Sequence, residues 1–153
     1  MGTILQGARR MGEIKIVILG NPVAQGRPRF SSRGGYNRAY DPPKSKSWKE
    51  YAKVVASIKM KGKHLLEGPI SLSICVYRDI PTSWSNKKKT LAAFGDIRPT
   101  TRPDLDNYVK GIKDALTGVV WKDDSQVVSY NEPFGKFYSS KPRIEICVKE
   151  INQ

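Results

Sequence analysis

Histidine and cysteine are nearly absent from this chain: one His, at position 64, and two Cys, at 75 and 147, in 153 residues. No CxxC spacing occurs. So few His and Cys argue against a zinc site, an HNH-type nuclease and a Ser-His-Asp triad. Long apolar runs are also missing. Nothing approaches the ~20 residues of a membrane span, and no signal peptide precedes the first apolar strand. A Lys/Arg-rich amphipathic helix with a bulky apolar face, which would lie on acidic lipid, is absent too. The expectation is a cytoplasmic protein with no membrane partner. Acidic residues are scarce as well: 14 Asp+Glu stand against 27 Lys+Arg, for a net charge of +13. That excess favours a polyanionic partner.

The charge is segregated. Residues 1–63 carry 14 Lys/Arg and 3 Asp/Glu, whereas residues 64–153 carry 13 and 11. Solubility alone explains a basic surface but not this separation. The chain is long enough for one domain with its own core, and no repeat or second domain is visible. Residues 1–12, MGTILQGARRMG, read as a flexible leader with Met11 as a candidate second start. The domain then occupies 13–153.

Elements follow from periodicity. Ile14, Ile16 and Ile18 alternate in a first strand over 13–19. The segment from Gly20 to Lys46 is rich in Gly, Pro, Ser and Arg without a period and reads as a long basic loop. Lys46 to Met60 predicts a helix, with Trp48, Tyr51, Ala52, Val55 and Ile58 inward and Lys49, Lys53 and Lys59 outward. Ile70, Leu72, Ile74 and Val76 alternate as a strand. Pro81-Thr82-Ser83 reads as the cap of a short helix through Phe94. The next helix should start at Asp104 or Asp106 and run to Thr117, with Leu105, Val109, Ile112 and Leu116 as its apolar stripe. Short strands are expected at 119–121 and 126–129, and a last one at 143–149. The class is α/β in the mixed, α+β sense: a small mixed sheet with about three helices.

The stretch RPDLDNYVKGIKDALTGVVWKDDSQ, residues 102–126, carries the chemistry. Asp104 and Asp106 open a helix, Lys110 follows one turn after Asp106, and a second acidic pair, Asp123-Asp124, comes from the segment beyond the helix, so the fold is expected to bring it back over the helix N-terminus. Clustered carboxylates repel one another, and a hard divalent cation is the usual remedy. Each piece alone has a plainer explanation. A helix-opening Asp is stabilised by the helix dipole, Asp123-Asp124-Ser125 suits a turn, and Asp114 suits an i,i+4 pair with Lys110. The dipole accounts for one of Asp104 and Asp106 but not for both together with the later pair. Upstream, Gly26-Arg27-Pro28-Arg29-Phe30 offers guanidinium forks suited to phosphate oxygens. Tyr36 and Tyr40 offer stacking surfaces, or simply pack the loop. Arg102 either reaches a phosphate or pairs with Asp104. A basic surface with one acidic pocket suits a metal-dependent nuclease. A non-catalytic basic DNA-binding or recombination accessory protein fits the charge but leaves the carboxylates unexplained. A PD-(D/E)xK nuclease needs a later acid-x-Lys on a strand, and none follows Asp104.

RPDLDNYVKGIKDALTG followed by VWKDDSQV resembles the signature of the RusA-type Holliday-junction resolvases, and GNPVAQGRPRF resembles that family's basic loop after the first strand. Together they span most of residues 14–150. The resemblance implies a Mg²⁺-dependent homodimer that nicks four-way junction DNA symmetrically in recombination and repair. It carries the metal ligands onto Asp104, Asp106 and Asp124, and the essential lysine onto Lys110. Arg27, Arg29 and Arg102 are then the DNA-binding residues.

Overall fold

In a computed structural model the chain is described at residues 13–27, 29–31, 35, 38–40 and 42–151. The candidate leader at 1–12 therefore lies outside the described residues, as does Tyr36.

The alternating isoleucines of β1 (Glu13–Leu19) do form a strand, and all three are buried. β1 runs antiparallel to β7 (Arg143–Glu150), which runs antiparallel to β4 (Ile70–Asp79). The free edge of β4 takes two short parallel strands end to end. β5 (Val127–Tyr130) covers its start, and β6 (Gly135–Ser139) covers its finish. The result is a five-stranded mixed sheet in a single α+β domain. A separate hairpin, β2 (Arg29–Ser31) with β3 (Arg38–Tyr40), stands in the segment expected to be all loop. Three-residue strands are too short to leave a readable period, which is why the pattern missed them. β6 was missed for a related reason: Gly135 and Lys136 break the apolar alternation.

α1 spans Pro43–Lys59, α2 Asn86–Ala93 and α3 Leu105–Leu116. α1 begins three residues before the expected start, because Pro43 is well placed at a helix's first turn, where its missing N–H costs nothing. Its buried face is Trp48, Ala52 and Ala56. Tyr51 and Ile58, expected inward, point outward, and Ile58 is 70% exposed. The buried face is built on small alanines and Trp48, so the apolar stripe is narrower than the sequence suggested. α2 is capped by Ser85, whose hydroxyl accepts from the Lys88 N–H at 3.2 Å; the 81–83 segment only leads into it.

α3 fulfils its expected stripe most closely. Val109, Ile112 and Leu116 are buried with Tyr108 and Ala115, while Leu105 is half-buried. It packs against α1, and their buried faces join the isoleucines of the sheet in one core. The expected strand at 119–121 is instead a turn after Gly118, with Trp121 fully buried and bridged to Leu66. Each fully buried Ile, Leu or Val of this core contributes about 1.5–3 kcal/mol.

Candidate active site

Asp104 is the N-cap of α3 by backbone geometry, yet its side chain makes no capping hydrogen bond. Asp106 lies in the first turn and is exposed. Neither carboxylate is paired with another described residue. A capping acid normally satisfies one of the helix's orphan N–H groups; here both acids are left to other work.

The basic loop is pinned beside them. The Gln25 N–H donates to the Asn107 carbonyl at 3.0 Å, in the first turn of α3. Gly111 makes that approach possible, since a Cβ there would come within 3.3 Å of the Gln25 nitrogen. A glycine inside a helix costs about 1 kcal/mol relative to alanine, so its presence in VKGIKDAL is a sequence signal for a close neighbour. On the loop's other side, a Cβ on Gly26 would sit 2.7 Å from the Pro42 ring at the start of α1. This packing creates a crevice of about 380 Å³ bounded by Arg27, Lys44, Arg102, Asp104 and Asn107. Two of the three expected DNA-binding arginines therefore share a crevice with Asp104. Lys44 and Asn107 were not anticipated. The third arginine, Arg29, is in β2, and its side chain lies outside what is described, as does that of Tyr40. Arg102 forms no ion pair with Asp104.

Lys110 follows one turn after Asp106, exposed and without a described acidic partner. The i,i+4 pair suggested for Asp114 is not made. Asp114 Oδ2 instead lies 3.5 Å from Lys49 Nζ on α1, and the Lys49 side chain, expected outward, is only 14% exposed. A structural ion-pair network along α3 is thus absent among the described residues.

The second acidic pair divides its labour. Asp123 caps the 3-10 turn Asp124–Gln126, accepting from the Ser125 N–H at 2.9 Å. Those bonds from Ser125 hold its carboxyl below the ordinary value. Gln126 completes the turn. Its Oε1 accepts from Lys122 and Asp123 N–H groups at 2.8 and 2.9 Å, and its Nε2 donates to Leu66 and Gly68 carbonyls at 2.8 and 3.0 Å. Asp124 is the acid left available. Its Oδ1 meets the Thr117 hydroxyl. That hydroxyl accepts from the Trp121 indole N–H at 3.0 Å and lies 2.7 Å from the Lys113 carbonyl.

Here one expectation needs correction. The acidic turn was expected to fold back over the N-terminus of α3, bringing three aspartates together. Thr117 is the C-cap of that helix, so Asp124 stands at the opposite end from Asp104. Twelve helical residues separate the ends by about 18 Å. Among the described residues no three acids, histidines or cysteines are close enough to hold a metal ion together. The reason is local: Gly118 turns the chain at once, and Trp121 and Gln126 fasten the return segment to residues 66–68 beside the helix's end.

The cysteines offer no rival centre. Burial pushes both thiols above their ordinary value, so neither is poised as a nucleophile.

With the geometry in place, comparison with known proteins decides the family. The family model described as "Endodeoxyribonuclease RusA" matches residues 20–149. The chain belongs to the RusA endodeoxyribonuclease family. The match covers the basic loop, α3 and the acidic turn together. This RusA-family chain is also 50% identical over 141 residues to "Uncharacterized protein YqaN" of Bacillus subtilis (strain 168), covering 91% of this chain and 97% of that protein. Family membership makes it a nuclease in class. No helix among the described residues is long and apolar enough to cross a membrane.

Proposed function

We propose that this protein resolves four-way DNA junctions in recombination and repair, as a Mg²⁺-dependent cytoplasmic homodimer that places paired nicks in opposed strands. The observation that carries the reading is the crevice that Asp104 shares with Arg27 and Arg102, with Asp106 and Lys110 following along the same helix. The family match supports it.

The donor set fits a hard cation. Asp104 and Asp106 offer carboxylate oxygens without competing hydrogen bonds, the ligand type that Mg²⁺ takes. Asp124 offers a third, fixed by Thr117. Because one chain keeps Asp124 a helix length away, the reading places each Asp124 beside Asp104 and Asp106 of a second copy. A twofold arrangement makes that exchange reciprocal and gives two equal sites. It also matches a substrate with two opposed strands to cut.

A bound divalent cation would supply Lewis-acid charge against the phosphate. The chain's own residues do the rest. Arg27 and Arg102 hold the backbone of the strand by charge-assisted hydrogen bonds. Lys110, one turn above Asp106, offsets the charge that develops on the phosphate as water attacks phosphorus and the P–O bond breaks. Thr117 keeps the Asp124 carboxylate in one orientation.

The test is an end-labelled four-way junction incubated with and without Mg²⁺, beside a linear duplex of the same sequence. Symmetric nicks in the junction alone, and only with Mg²⁺, are expected. Cutting of both substrates would make the protein a general nuclease. Retarded but intact DNA would favour the accessory-protein reading.

A further inference from the structure

Three cations, Arg78, Arg98 and Lys136, gather on the β4–β6 edge. Arg78 Nη1 and Lys136 Nζ both donate to the Thr101 carbonyl, each at 3.0 Å, and Lys136 Nζ also reaches the Pro103 carbonyl at 3.1 Å. Arg98 Nε donates to the Lys136 carbonyl at 2.9 Å. None of the three forms an ion pair with a described residue. Two cationic groups drawn to one carbonyl oxygen repel each other, and neutral carbonyls offset that repulsion only in part.

Arg98 is held in place by more than its one hydrogen bond. Its guanidinium lies 4.1 Å over the Phe137 ring, which stacks on Tyr77 at 5.5 Å, with Arg143 4.0 Å from the Tyr77 ring. Gly135 leaves the room: a Cβ there would come within 2.3 Å of Arg98 Nη2. The two terminal nitrogens of Arg98 have no partner among the described residues, and the side chain is exposed. A flat, immobilised, unpaired guanidinium beside two further cations matches the oxygens of a phosphodiester. The cluster adjoins the residue just before Asp104.

We propose that Arg98, with Arg78 and Lys136, forms a second phosphate-binding cradle for the DNA backbone, separate from the crevice of Arg27 and Arg102. It carries the strand across the β6 edge as it leaves Asp104. The inference rests on the nuclease reading for the path of the strand, but its test reads binding alone.

Binding of the full-length protein to a four-way junction is followed by fluorescence anisotropy, in EDTA, between about 50 and 200 mM salt. Arg98→Gln is expected to bind roughly fivefold to tenfold more weakly at about 0.1 M salt, with the log–log salt slope shallower by about 0.9 for one lost phosphate contact. Arg98→Lys should restore the slope, since it keeps the charge. Gly135→Ala should reproduce the Arg98→Gln slope, because the new methyl displaces the guanidinium while Arg98 itself remains. If Arg98 only braces the loop, Arg98→Gln lowers Tm, the folded fraction binds with an unchanged slope, and the proposal is overturned. A wild type that binds no DNA even at the lowest salt overturns it too. A shallower slope in a protein that never cuts junctions leaves the cradle standing and removes the junction-resolving reading instead.

Discussion

Gln126→Ala is the perturbation whose size the structure specifies best. The Gln126 amide uses all its capacity on one segment, accepting two backbone N–H groups of the acidic turn and donating to two carbonyls of the 66–68 segment. The two donated bonds are partly buried and the two accepted ones exposed. A net hydrogen bond contributes about 0.5–1.5 kcal/mol, with exposed ones at the lower end. Truncation should therefore cost about 2–3 kcal/mol, a sizeable share of the roughly 5–15 kcal/mol available to a domain. Urea unfolding measures it, with an unchanged m-value expected because the surface exposed on unfolding hardly changes. Cleavage should fall as well, since the same turn aims Asp124. A loss below about 0.5 kcal/mol would mean that water replaces these bonds without penalty, and the turn could not then be credited with fixing Asp124.

Asp106→Asn should bind a four-way junction as the wild type does and fail to cut it, measured by gel shift and cleavage on the same preparation; parallel loss of both would indicate misfolding. Lys110→Ala should slow cleavage by roughly 10²–10³-fold, the cost of one transition-state donor, with Mg²⁺ dependence retained; unchanged rates would remove Lys110 from the chemistry. Asp123→Asn should flatten the acid limb of stability. The folded-state carboxyl titrates below its ordinary value, so its contribution is complete above that value and fades as pH falls through the lowered one. Tm recorded on either side of pH 4 checks this, and an identical acid limb would contradict it.

How far the sequence could be read depended on the length of each pattern. The isoleucine alternation of β1 and the stripe of α3 persist long enough to identify both elements and their buried faces. The start of α3, with Asp104 and Asp106 at its opening and Lys110 one turn on, followed from the same segment. Short pieces were illegible: the β2–β3 hairpin and β6 have too few residues to carry a period. The inward face of α1 was misjudged because Ala52 and Ala56, not Tyr51 and Ile58, are its buried residues. Asp123 and Asp124 look alike in sequence, and only the Ser125 and Gln126 hydrogen bonds tell them apart. The position of Asp124 was the largest miss. Sequence spacing shows that an acidic pair follows the helix but not which end it reaches, and a contact between copies such as the one proposed would leave no trace in local pattern.

That contact can be tested directly by mixing two inactive variants, Asp106→Asn and Asp124→Asn, under conditions that exchange subunits. If Asp124 serves the other copy, each mixed dimer holds one site with every carboxylate intact and one lacking two, so the mixture should regain Mg²⁺-dependent nicking of a four-way junction, one strand per dimer. If all three aspartates act within a single chain, no combination restores a complete set. The mixture would then stay as inactive as its parents, and the shared site would be refuted.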